Sequence, residues 1–155
     1  MEMANNAFTS LNSLIAYLQP ILNEVLVEDV SPVICDEIES SAIEVVLGAG
    51  QPIYYNRRSS SNSLNSGGIA DKAEMETTLI ENGVIEVIDN ASPSSPWNNG
   101  RSLAENLEYG YNGMDTWYNQ PRPFIKQSKE NLQESKNHVH ALADGLRKRG
   151  FTVIE

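Results

Sequence analysis

A chain of 155 residues with 40% hydrophobic content fits one domain and can bury about two-thirds of its unfolded surface. Its net charge of −10 repels nucleic acid and anionic lipid at close range, so no specific nucleic acid and no membrane is expected as a partner. No run approaches the roughly 18 apolar residues of a membrane span, and the single Cys35 excludes an internal disulfide framework or a Cys-cluster metal site. The opening stretch "MEMANNAFTSLNSLIAYLQP" carries no Lys or Arg and one early Glu, so a secretory signal is not expected. The charge is also uneven. Residues 1–56 hold eight acids and no Lys or Arg, whereas the remainder holds thirteen acids and all eleven basic residues. An acidic face and a basic face of this kind suit head-to-tail contact between copies, although a solvated acidic helix face accounts for the same pattern.

In chain order, Leu11, Leu14, Ile15, Leu18, Leu22, Val25 and Leu26 recur at spacings of three and four, predicting a helix from Ser10 to about Val27. Pro20 is expected to kink or split it. Ser31 as N-cap and Pro32 as first helical residue predict a second helix, stopped by "GAG" at 48–50. "PIYYNRR" (52–58) reads as a strand, and "SSSNSLNSGG" (59–68) as a mobile loop with too few apolar groups to order itself. Alternation over 75–80 and again over 84–89, around Asn82-Gly83, is a strong hairpin signal. The stretch 90–102 is turn chemistry. "LAENLEYG" allows about one and a half helical turns, ending at Gly110. One long helix is expected from Pro123 to Arg149, with Gly150 as its stop, and "FTVI" (151–154) as a last strand. The order predicts an α+β fold in a single domain. It has N-terminal helices (1–50), an antiparallel sheet with long mobile loops (51–120), and a long C-terminal helix followed by a short strand (121–155).

No constellation of side chains carries enzyme chemistry. His138 and His140 sit two apart on a predicted helix, a spacing that points them about 200° apart and so cannot share a metal. The Glu105 and Glu108 pair resembles an acid–base couple, but solvent-facing acids are the better reading. No catalytic residue, cofactor site or metal site is therefore assigned, and the chain is not expected to be an enzyme. Aromatic and Arg side chains in loops instead nominate a protein interface: Arg57, Arg58, Trp97, Tyr109, Tyr111, Trp117 and Arg122. To these the charge argument adds Arg147, Lys148 and Arg149. The loop aromatics also suit sugar rings, which keeps a carbohydrate- or receptor-binding module as the alternative function.

The order of "YYNRR…GGIAD", the "IEVIDNAS" hairpin, "NLEYGYNG" and "RPFI" at a helix start resembles the tail-completion or neck proteins of long-tailed bacteriophages. Glu108, Tyr109 and Gly110 match the family's Glu-aromatic-Gly element, and Arg122, Pro123 and Phe124 match its Arg-Pro-Phe element. The resemblance implies a structural virion protein at the head–tail junction, assembled in the bacterial host cytoplasm. It would form a ring, sixfold by resemblance, whose partners are further copies and other neck, connector and tail proteins. Glu108, Gly110, Pro123 and Phe124 are then the expected structural anchors.

Overall fold

The computed structural model describes residues 10–48, 68–91, 102–110 and 120–154. The fold is α+β, with its helices gathered around a two-stranded antiparallel sheet. The segments 52–58 and 59–67, expected as a strand and a mobile loop, lie outside the described residues.

Helix α1 (Leu11–Val25) starts at Ser10, whose hydroxyl accepts the Ser13 N–H while the Ser13 side chain reaches back to the Ser10 N–H. This reciprocal pair satisfies donors that the first turn leaves orphaned. The helix continues through Pro20 and is not split there. A wider π-helical segment, Leu26–Val30, follows and leads directly into α2 (Ser31–Ser41) and a second such segment, Ala42–Leu47. The backbone at Val25, Val30, Ser31 and Ser41 is right-handed helical throughout. The separate second helix capped by Ser31 is therefore not formed. The Ser31 hydroxyl instead hydrogen-bonds the Thr77 hydroxyl across to the sheet. Asp36 and Glu37 lie within this helical run. Asp36 and Glu39 pair with Lys72, and Glu37 accepts from Asn131 at 2.7 Å.

Strands β1 (Met75–Glu81) and β2 (Val84–Asp89) pair as predicted around Asn82-Gly83, with Met75 opposite Asp89 and Thr77 opposite Val87. Gly83 has φ +81°, a conformation that the tight turn demands and that glycine adopts freely. Alternation sends Met75 and Val87 to the core. Val84 and Ile88 alternate onto the opposite face with Glu76, Thr78 and Glu86, and both are exposed, as is Ile80 at the irregularity in register beside the turn.

The predicted long C-terminal helix is two helices. Helix α4 (Phe124–Ser135) and α5 (Asn137–Lys148) meet at Lys136, which is left-handed at φ 56° and ψ 20°. Two packing partners explain the break: α4 lies against α2, while α5 lies against the Leu26–Val30 segment and both flanking helices. A straight helix would not serve both surfaces. Gly150, at φ +89°, ends the run as expected, with Phe151 N–H donating to the Leu146 carbonyl at 3.1 Å. Residues 151–154 form no strand.

The main core joins Ile38, Ala42 and Val46 to Ile69, Ala70, Ala91 and Phe124. Phe124 is fully buried, and removing a ring so placed typically costs about 3–5 kcal/mol. A second contact brings α5 against Val25 so closely that a Cβ on Gly145 would lie 2.6 Å from Val25 Cγ1 and 2.7 Å from Asp29 Oδ2.

Candidate assembly site

The two motif elements separated by the 111–119 segment meet in space. Helix α3 (Leu103–Tyr109) begins at Ser102, whose hydroxyl accepts from Glu105 N–H at 3.1 Å while the Glu105 carboxylate accepts from Ser102 N–H at 3.2 Å. Its next acid, Glu108, caps a different helix. The Ile125 and Lys126 N–H groups donate to its two carboxylate oxygens at 2.9 and 3.1 Å. Those are first-turn donors of α4, which have no partner within the helix and carry the positive end of its dipole. Pro123 and Phe124 cannot supply such an acceptor, so the cap comes from across the loop. Glu105 and Glu108 are thus both helix-capping groups, rather than an acid–base couple or freely solvated acids.

The Arg122 N–H donates to the Leu107 carbonyl at 2.7 Å, and the Phe124 N–H to the Arg122 carbonyl at 2.8 Å. Gly110, buried with φ +78°, turns the chain away from α3 where a β-carbon would be strained. Pro123 occupies the residue before the first helical one, at φ −76°, and Phe124 plugs the core. The chain between Gly110 and Gln120 therefore departs and returns at one fastened base. Tyr109 stands exposed on that base, at 73%. Arg122 is half-buried.

Arg57, Arg58, Trp97, Tyr111 and Trp117 lie outside the described residues. The three basic residues at the end of α5 are brought together with acids of the same chain. Arg149 donates to Asp29 Oδ2 at 2.7 Å, Glu28 Oε2 at 2.7 Å and Glu24 Oε1 at 2.9 Å. Lys148 reaches Asp29 Oδ1 at 2.7 Å, and Arg147 pairs with Asp144 one turn back at 2.9 Å. Hydrogen bonds from Lys148 and then Arg149 hold the Asp29 carboxyl below its ordinary range. The acidic-to-basic pairing expected between copies is thus made within one chain, because α5 folds back along the helix that carries the acids.

Sequence reasoning missed several residues of consequence. Gly145 reads as a weak spot in a helix, yet it is the point of closest approach between α5 and the N-terminal helices. Asp89 closes β2 and is 5% exposed. One carboxylate oxygen accepts the Ala91 N–H at 2.9 Å and the other has no hydrogen-bond partner. Burial, reinforced by nearby Glu74, pushes its pKa up to about 6. No sequence signal separates Asp89 from an ordinary turn aspartate. Among the described residues, no group of three or more His, Cys, Asp or Glu side chains is placed to hold a metal, and no helix is long and apolar enough to cross a membrane.

A family model described as YomN matches residues 10–148. No curated protein and no solved structure matches the chain. The matched span runs from the cap of α1 to the end of α5 and includes both motif elements and the hairpin. The family name is phage-derived and points to a phage protein. On this match the chain belongs to the YomN family.

Proposed function

We propose that this protein is a structural, non-enzymatic component of a phage virion, acting at the head–tail junction by docking between connector and tail as a ring of copies. The observation that carries an assembly role is the outer face of the hairpin. Ile80 and Val84, beside the hairpin tip, are 58% and 41% exposed, and Ile88, paired opposite Glu76, is 42% exposed. Large apolar side chains left bare on a small fold mark a surface for another protein. The fastened base under the 111–119 segment supports the same reading. A segment rich in Tyr and Trp whose two ends share one hydrogen-bonded base meets a partner with little loss of freedom in that base. The order of motif elements resembling the neck proteins supports the junction as the place, and the phage-derived family is compatible with it.

Immunogold electron microscopy of purified particles, with an antibody against this chain, tests the proposal. Label confined to the head–tail junction is the expected result. Label at the tail tip would favour a carbohydrate- or receptor-binding module using the loop aromatics. Particles without label would remove the virion role altogether.

A further inference from the structure

The hairpin is a sheet of two strands, so each strand has one edge that its neighbour does not satisfy. Which backbone groups lie on that edge follows from a single bond. The Asn90 N–H donates to the Glu74 carbonyl at 2.8 Å, one residue beyond the Met75–Asp89 pair and in the same register. Antiparallel pairs alternate between hydrogen-bonded and non-hydrogen-bonded. Glu76–Ile88 and Thr78–Glu86 are therefore bonded pairs, and the N–H and C=O groups of Thr77 and Leu79 point away from β2. Among the described residues, none of these four groups has a hydrogen-bond partner. The Met75 N–H, on the same edge, is already given to the Lys72 carbonyl. At the other end, the irregularity between Leu79 and Glu81 breaks the ladder.

The β1 edge is also open. From Glu76 to Glu81 every residue except the half-buried Thr77 is exposed, with Leu79 at 38% and Ile80 at 58%. The corresponding residues of β2, Ile85 and Val87, are half-buried, and α2 lies against that strand. Folded proteins blunt open edges with Lys, Pro or a covering element. Residues 75–81 hold no Lys, Arg or Pro, and Ser31 reaches β1 through the Thr77 hydroxyl, leaving the Thr77 backbone unengaged.

We propose that β1 pairs antiparallel with β1 of a second copy, about a twofold axis at Thr78, joining two hairpins into one four-stranded sheet. A row of unpaired N–H and C=O groups at strand spacing is the complement of another extended strand. The inventory of these groups picks the register. With Thr78 opposite its mate, Thr77 of each copy exchanges both bonds with Leu79 of the other, and every unpaired group is used. Centring on Thr77 instead would call on the Met75 N–H, which is taken, and centring on Leu79 runs into the irregularity. Charge complementarity favours a second copy in the same register. β1 is uncharged from Thr77 to Ile80. Glu76 falls at the level of Ile80 and Glu81 at that of Met75, so no acid opposes an acid. The strand offers seven residues against about 20–30 a side in a standard interface, so the pair is weak, with Kd on the order of 100 µM. A twofold contact makes pairs of the free protein, whereas a ring needs a head-to-tail contact. The inference therefore goes beyond the junction reading and stands or falls without it.

Sedimentation velocity of the full chain from about 10 µM to about 1 mM tests the pairing. A monomer–dimer equilibrium is expected, strengthened by added salt because each copy carries a net charge of −10. Leu79→Pro deletes an edge N–H that makes no bond within the hairpin. It should weaken dimerisation about tenfold and leave the circular dichroism spectrum unchanged. Cross-linking in a Cys35→Ser background reads the register. Thr78→Cys places the thiols in a non-hydrogen-bonded pair on the axis, where β-carbons stand about 4.5 Å apart, and should give a covalent dimer on mild oxidation. Glu76→Cys, four residues out of register with its mate and so about 13 Å away, should not. A chain that stays monomeric at the highest concentration would overturn the proposal. Undiminished dimerisation of Leu79→Pro would do the same, as would equal cross-linking of the two cysteine variants.

Discussion

Asp89→Asn should change how stability depends on pH. Asp89 is 5% exposed, and only one of its carboxylate oxygens is hydrogen-bonded. Its pKa is raised from the ordinary 3.8 to about 6, chiefly because burial disfavours the charged form. A group with a raised folded pKa binds more protons in the native state, so stability falls as pH climbs through that interval. The contribution is intact below the unfolded value of 3.8 and is lost as pH rises through about 6. The full shift corresponds to about 3 kcal/mol at most, and residual hydration at the strand end lowers the working figure to about 1–2 kcal/mol. Asparagine keeps the acceptor for the Ala91 N–H but cannot ionise. Urea unfolding of both proteins from pH 4 to pH 7 reads the effect as a difference, which cancels carboxylates such as Asp29 that titrate in both. The wild type should lose about 1–2 kcal/mol relative to the variant over that range. Parallel curves would refute the reasoning, since they would mean that Asp89 ionises in the native state as easily as in the unfolded chain.

Glu108→Ala removes both acceptors from the first turn of α4 and should cost about 2 kcal/mol. A lowered urea midpoint at constant slope is the signature, and an unchanged midpoint would mean that water caps the helix equally well. Gly145→Ala forces a methyl group into Val25 and Asp29. It should destabilise by about 1–3 kcal/mol, although alanine is the better helix former; a stabilised protein would show that α5 packs more loosely. Lys136→Gly should stabilise by about 0.5–1 kcal/mol by relieving the left-handed conformation, and a loss of stability by calorimetry would argue for one continuous helix. Arg149→Glu sets a fourth acid among Glu24, Glu28 and Asp29 and should lower the melting temperature, whereas Arg147→Glu, which breaks the exposed pair with Asp144, should lower it less. Equal effects would mean that no ion-pair hub operates at Arg149.

The hairpin was legible in the sequence because its signals are local: alternation on both sides of Asn82-Gly83 fixes the turn and the register together. Helix ends were legible where capping is local, as at Ser10 and Gly150. Misreadings arose where a residue that looks like local punctuation serves a distant partner. Ser31 and Pro32 have the chemistry of a helix start, but the Ser31 hydroxyl is engaged by Thr77, and the helical ladder continues by widening for one turn. Lys136 is the converse case. Neither Gly nor Pro marks the break between α4 and α5, since the need for it comes from two separate packing surfaces. The motif elements at 108–110 and 122–124 were visible as patterns. Their physical connection, a carboxylate capping a helix across a loop, was not, because nothing in either tripeptide specifies the other.

That connection also changes what an assembly surface on this fold can be. The uneven charge of the sequence suggests an acidic copy meeting a basic copy. Yet Arg149 and Lys148 are already engaged by Glu24, Glu28 and Asp29 of their own chain. Pairing them again with a neighbour would mean breaking these bonds and exchanging one set of partners for an equivalent set, which yields little net free energy. The exposed apolar side chains of the hairpin involve no such exchange. Ile80, Val84 and Ile88 are exposed in the single chain, so covering them removes apolar area from water at about 25 cal/mol per Å². Contacts to these three side chains would be weakened little by salt, whereas contacts to the basic end of α5 would be screened within about 10 Å at 0.1 M ionic strength. The ion pairs at Arg149 therefore belong to the stability of the folded chain, and the exposed hairpin side chains are the stronger candidates for the proposed contact between copies.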